Sequence, residues 1–117
     1  MSIQTDLRAL IGPLLADRAY PVAAPDSPVA PYLTYQRVSA TPENVMAGNG
    51  GANPLTNTRL QIDVYATTYA EAQDRAQAIR SALQGWGIQN VTNSEQDLYE
   101  DDVKLHRVMI DISTWHN

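Results

Sequence analysis

Residues 58–67 read TRLQIDVYAT, and residues 68–87 continue as TYAEAQDRAQAIRSALQGWG. The first stretch alternates: Leu60, Ile62 and Val64 fall on one side, with Arg59, Gln61, Asp63 and Tyr65 on the other. A period of two is that of a strand with one face buried and one face wet. The second stretch changes period. Ala72, Ala76, Ile79, Leu83 and Trp86 recur at steps of four and three, which puts them on one side of a helix. Thr68 followed by Glu71 fits a capping box, in which side chains satisfy backbone donors at the helix start. Gly85 and Gly87 supply a left-handed stop. A half-buried strand running directly into an amphipathic helix predicts a sheet with a helix laid on its apolar face.

The flanking segments extend that layer pair. On the N-terminal side, Ile3, Leu7, Leu10, Ile11, Leu14 and Leu15 form the apolar face of a helix over residues 2–18, with Ser2 as N-cap. Gly12-Pro13 interrupts it, because Pro13 lacks an N–H and crowds the carbonyl four residues back. The expected result is a kink, or two helical pieces with Pro13 starting the second. Residues 19–31 hold four of the seven prolines and read as a stiff connection, with room for a short edge strand at Tyr20 to Ala23. YLTYQRVS, residues 32–39, is a strand by its β-branched and aromatic content. Residues 41–57, with Gly48, Asn49, Gly50, Gly51, Asn53 and Pro54, read as a long flexible loop.

After the second helix come a weaker strand, residues 88–99, and a stronger one, residues 103–115, with Val108, Ile110 and Ile112 on a common face. Glu100, Asp101 and Asp102 form an acidic hairpin turn between them. The expected fold is α+β: a mostly antiparallel sheet of four to five strands with two helices packed on one face. The 117 residues suffice for a single domain, 1–117, with one hydrophobic core.

Composition narrows the function. The chain has no cysteine, so disulfides, thiolate nucleophiles and cysteine zinc sites are excluded. A formal charge of −5 with scattered basic residues argues against nucleic-acid and membrane partners. The N-terminus does not read as a signal peptide, and no apolar run approaches the roughly 20 residues of a membrane span.

Chemistry-bearing residues do not converge. His106 and His116 sit in no catalytic signature, and a nucleophile needs a base with an orienting partner. The acidic run Glu95, Asp97, Glu100, Asp101 and Asp102 lacks the spacing and glycine of a calcium loop and reads as a solvated turn that discourages wrong edge pairing. Gly48-Asn49-Gly50-Gly51 lacks the Lys-Ser/Thr of a phosphate loop. The expectation is therefore a non-enzymatic protein without cofactor or metal that works by contact. Its large anchors are Tyr32, Tyr35, Tyr65, Tyr69, Trp86 and Trp115. Tyr35 and Tyr65 are candidates for the outer sheet face, where aromatics with a polar tip favour interfaces.

Two stretches carry a resemblance: Pro31 to Ser39 (PYLTYQRVS), and Arg59 to Ala66 (RLQIDVYA) running into Thr68 to Ala72. With the N-terminal helix and the Tyr20-Pro21-Val22 segment that follows it, they resemble the tail completion, or tail terminator, proteins of long-tailed bacteriophages and prophages, from about residue 5 to residue 84. The resemblance implies a structural virion protein that caps the tail tube as a ring, commonly six-fold. It implies as partners other copies of the chain, the tail tube protein and the head–tail connector. It also implies assembly in the host bacterial cytoplasm and residence in the virion tail. By analogy the loop residues Asn49, Gly50 and Asn53 join Tyr35 and Tyr65 as interface candidates. Two alternatives stand beside it: another neck protein, head-closure or minor capsid, and a small α+β ligand-binding domain with a polar-studded cleft.

Overall fold

Alternation of apolar and polar residues builds a sheet of five strands here, in the order β1-β2-β3-β5-β4. The computed structural model describes residues 2–25, 28–43 and 55–116. β1 (Ala19–Pro21) runs parallel to β2 (Tyr32–Glu43); β2, β3 (Leu55–Ala66), β5 (Leu105–His116) and β4 (Gln89–Glu100) pair antiparallel in turn. α1 (Ile3–Ile11) and α2 (Tyr69–Gln84) complete the fold. The architecture is the α+β layer pair expected from the sequence.

Register puts Leu33 opposite Val64 and Tyr35 opposite Ile62. It also puts Leu60, Ile62 and Val64 opposite Ile112, Ile110 and Val108. Opposite residues of an antiparallel pair share a face, so these side chains form one apolar surface. They join one buried cluster with Ile3, Leu7 and Ile11 of α1 and with Ala72, Ala76, Ile79 and Leu83 of α2. Trp86 packs partly buried against the same cluster. Both helices thus lie on one side of the sheet.

The local signals work as their chemistry demands. Ser2 Oγ accepts from Thr5 N–H at 3.1 Å, and Thr68 Oγ1 accepts from Glu71 N–H at 3.1 Å. After Ile11 the chain tightens into a 3₁₀ turn, Gly12–Leu15, with Pro13 at its start. Arg75 Nη1 donates to Leu14 O at 3.2 Å and ties this turn to α2.

Four boundaries differ from the sequence reading, the first being the edge strand, expected at Tyr20 to Ala23 and found at Ala19–Pro21. The stop after α2 is not left-handed, because Gly85 has φ −92°. The helix closes instead through short bonds, Gly85 N–H to Ala82 O and Trp86 N–H to Leu83 O, both 3.2 Å. Asn90 Nδ2 donates to Leu83 O at 3.0 Å, so a side chain from the next strand does the capping. Residues 41–43 and 55–57, expected in the loop, belong to the β2–β3 ladder, where Glu43 pairs with Leu55. The remainder of the expected loop lies outside the described residues. The turn joining β4 to β5 lies later than expected, and Glu100 ends β4 rather than opening the turn.

Candidate assembly interface

The face of the sheet away from the helices carries a cluster of aromatic and charged side chains. Tyr32 pairs across strands with Tyr65, and Tyr65 with Arg107. The tyrosine rings stack, with centroids 4.8 Å apart and planes 16° off parallel, and the Arg107 guanidinium lies 5.8 Å from the Tyr65 centroid. Arg107 also bridges two carboxylates: Nε reaches Asp63 Oδ1 at 2.9 Å and Nη1 reaches Glu100 Oε1 at 2.7 Å. Asp63 is only 5% exposed, so this bridge satisfies a nearly buried charge. Burial works against the Arg107 charge, but its bonds to Glu100 and Asp63 outweigh that and hold its pKa above the ordinary arginine value. Burial raises the Tyr32 phenol, helped by neighbouring Tyr65. Burial raises Tyr65 too, against the opposing pull of Arg107. Further along this face Arg59 pairs with Asp111, whose Oδ1 is buried without a partner among the described residues.

A shallow groove of about 400 Å³ lies over the cluster, rimmed by Val22 and Val103 and floored by Tyr32, Tyr65 and Arg107. Val22 is 70% exposed and has φ 67°. Ala23 N–H donates to Pro21 O at 2.7 Å across it, which makes a γ-turn of the rare, strained hand. A β-branched residue there is a true outlier.

Among the described residues the sheet is open on both flanks. β4 has β5 on one side and no strand on the other among the described residues. Two of its carboxylates point back at α2: Glu95 pairs with Arg80, while Asp97 accepts from Tyr69 Oη at 3.0 Å and from Gln73 Nε2 at 2.8 Å. The bond to Asp97 raises the exposed Tyr69 phenol. Between α2 and β4 runs a groove of about 640 Å³ lined by Arg80, Trp86, Ile88, Thr92 and Glu95 among others. On the opposite flank β1 covers only Leu33, Thr34 and Tyr35 of β2. Beyond them Arg37 and Val38 are exposed, and Arg37 has no ion-pair partner among the described residues.

Of the interface candidates, Tyr65 is on the open face as expected. Tyr35 is not: it shares the parity of Leu33, faces the helices and is buried in the core. Tyr32, not Tyr35, partners Tyr65 there. Asn49, Gly50 and Asn53 lie outside the described residues. The acidic residues do not form one solvated turn. Glu95, Asp97 and Glu100 are spread along β4 with partners of their own, and only Asp101 and Asp102 occupy the turn. Among the described residues no group of three metal-ligating side chains converges, and no helix is long and apolar enough to cross a membrane. His106 packs edge-on between Tyr69 and Tyr99, with centroids at 5.9 and 5.0 Å, and His116 Nε2 lies 2.7 Å from Thr58 Oγ1.

A family model described as "Tail completion protein gp17" matches residues 3–117. The chain belongs to this family. Tail completion proteins are structural proteins of the bacteriophage virion, and this chain is accordingly a structural component of a phage tail. No curated protein matches it by sequence. Among solved structures it is similar to a chain of the "Virion of native gene transfer agent (GTA) particle", with TM-score 0.65 and 17% identity, covering 92% of this chain and 84% of that one. At that identity the likeness shows the fold alone. Two crystal structures from Akkermansia muciniphila align over 69% and 71% of this chain and 46% and 40% of theirs, at 13% and 14% identity. Their TM-scores of 0.39 and 0.41 carry no argument.

Proposed function

We propose that this tail completion protein closes the end of the tail tube as a ring of identical copies and presents a surface to the head connector. The observation that carries this reading is the pair of unlike open flanks, β4 on one side of the sheet and the outer part of β2 on the other. A protein with two different sticky sides joins head to tail, and such contacts close into a ring when their rotation divides the circle. Six copies is the number implied by resemblance to tail terminators. Family membership supports the tail as the place. A charge of −5 keeps free copies apart in the host cytoplasm until a growing tube gathers them. Asn49, Gly50 and Asn53, with Tyr65 on the open face, are the proposed contacts to tube or connector.

Light scattering over a concentration series, followed by electron microscopy of tails assembled with and without the protein, tests this reading. Overlong or headless tails in its absence are expected; tails that stop at normal length and join heads without it rule the role out. Binding to purified tail tubes rather than to connector-bearing heads separates this role from that of a head-closure neck protein.

A further inference from the structure

We infer that the ring contact is a continued β-sheet, in which residues 89–94 of β4 in one copy pair antiparallel with residues 36–41 of β2 in the next. This inference rests on the ring reading above and specifies its chemistry.

Strand direction comes first. β2, β3, β5 and β4 alternate, so β4 runs opposite to β2. A second copy moved sideways without turning over therefore offers its β2 to β4 antiparallel, the arrangement in which facing residues share a face.

Register follows from the rungs. Gln36, Gln61, Asp111 and Ser94 lie on one rung; Arg37, Leu60, Ile112 and Thr92 on the next. The rungs of Ser39, Ala40 and Thr41 end on Val91, Asn90 and Gln89. Continuing each rung into a neighbour sets its Arg37 opposite Thr92 and its Ser39 opposite Val91, and keeps every helix on one side. Both flanks carry a bulge beside the Leu60–Ile112 rung, at Val38 in β2 and at Asn93 in β4. The two left-over residues fall on opposite sides of the Arg37–Thr92 pair, Val38 toward the Ser39–Val91 rung and Asn93 toward the Gln36–Ser94 rung, so each bulge keeps the pairs beyond it in step.

The open stretches have a structural cause. The strained turn at Val22 ends β1 at Pro21 and, among the described residues, leaves β2 uncovered past Tyr35. Strain at an exposed position is kept where the fold uses it. At the other end of the contact, the neighbour's β1 lies level with Glu95 to Asp97 and confines pairing to residues 89–94.

Side chains complement the backbone. Arg37 lacks an ion-pair partner among the described residues and, once opposite Thr92, sits one same-face position from Glu95. A diagonal neighbour on a sheet is about 7–8 Å away, within reach of an arginine. Its guanidinium then enters the groove between α2 and β4 and shares Glu95 with Arg80. Val38 and Val91, both about half exposed, bring apolar surface to the same contact.

The absence of native cysteine makes the test clean. The double variant Arg37→Cys with Thr92→Cys places two thiols three strand spacings apart in one chain, about 14 Å. That exceeds the roughly 7 Å Cα limit of a disulfide, so any bond formed joins two copies. Gln36→Cys with Thr92→Cys is the control, with thiols on opposite faces. Both variants are incorporated into tails, oxidised, and run on non-reducing gels. A ladder of covalent multimers from the first variant and none from the second is expected. Incorporation and normal tail ends with no ladder, or with equal ladders, overturn the sheet contact and leave the ring reading standing. Failure of wild-type protein to associate or to enter tails removes both.

Discussion

The two faces of this sheet are made by alternate residues of the same strands, yet they are held by different physics. Leu60, Ile62 and Val64 lie wholly buried under the helices, where close packing and removal from water supply the stability. One residue along each time, Arg59, Asp63 and Tyr65 rely on ion pairs and stacking in partial contact with water. The covered face defines whether the chain folds. The open face is held pair by pair, with Arg107 at the centre of its contacts.

That contrast is broken hardest at Ile62. Ile62→Asp puts an unpaired carboxylate among apolar side chains at a cost of several kcal/mol, and circular dichroism is expected to show an unfolded chain at 25 °C. The same charge at position 63 is native, one residue away, because Arg107 meets it. Arg107→Met is expected to cost about 2 kcal/mol in urea denaturation, since it leaves Asp63 nearly buried with Gln61 as its remaining side-chain partner. Adding Asp63→Asn is expected to recover most of the loss. No recovery means that the arginine acts by packing alone.

Alkali probes the open face selectively. The folded-state values of Tyr32 and Tyr65 lie above the ordinary 10.0. Their neutral forms therefore contribute stability that is complete below pH 10 and is lost as pH rises through the raised values. Tyr32→Phe with Tyr65→Phe is expected to move the alkaline unfolding midpoint upward, followed by circular dichroism; an unmoved midpoint takes these phenols out of the transition. The smallest effect is expected at Arg80→Ala. Its pair with Glu95 is about one-third exposed at each partner, so thermal melts are expected to register a loss of at most about 0.5 kcal/mol.

The covered face was legible in the sequence and the open one only in part. Leu60, Ile62, Val64 and the α2 stripe declare their side by periodicity, and Thr68 with Glu71 marks the helix start; none of these needs a partner strand to be known. Tyr35 was open to the same parity argument, since it stands two residues from Leu33. Its tyrosine hydroxyl suggested the wet side, and the parity was decisive. The Tyr32–Tyr65–Arg107 cluster depends on register between three strands, and register is fixed by pairings far apart in sequence. The acidic residues read as one turn because they are near one another in the chain. The strand separates them, turning Glu95 and Asp97 toward α2 and Glu100 toward Arg107 on the open face. Gly85 suggested a left-handed stop, whereas Asn90, from the following strand, reaches back to Leu83 O.

The two bulges flank a single rung, one on each margin of the sheet. A bulge bends its strand and sharpens the local twist, so both margins of the sheet are expected to turn near the height of Leu60 and Ile112. In a closed circle of such copies these bends would line up into one waist. The wall could then slope differently above and below that line, matching collars of unequal bore without altering any subunit.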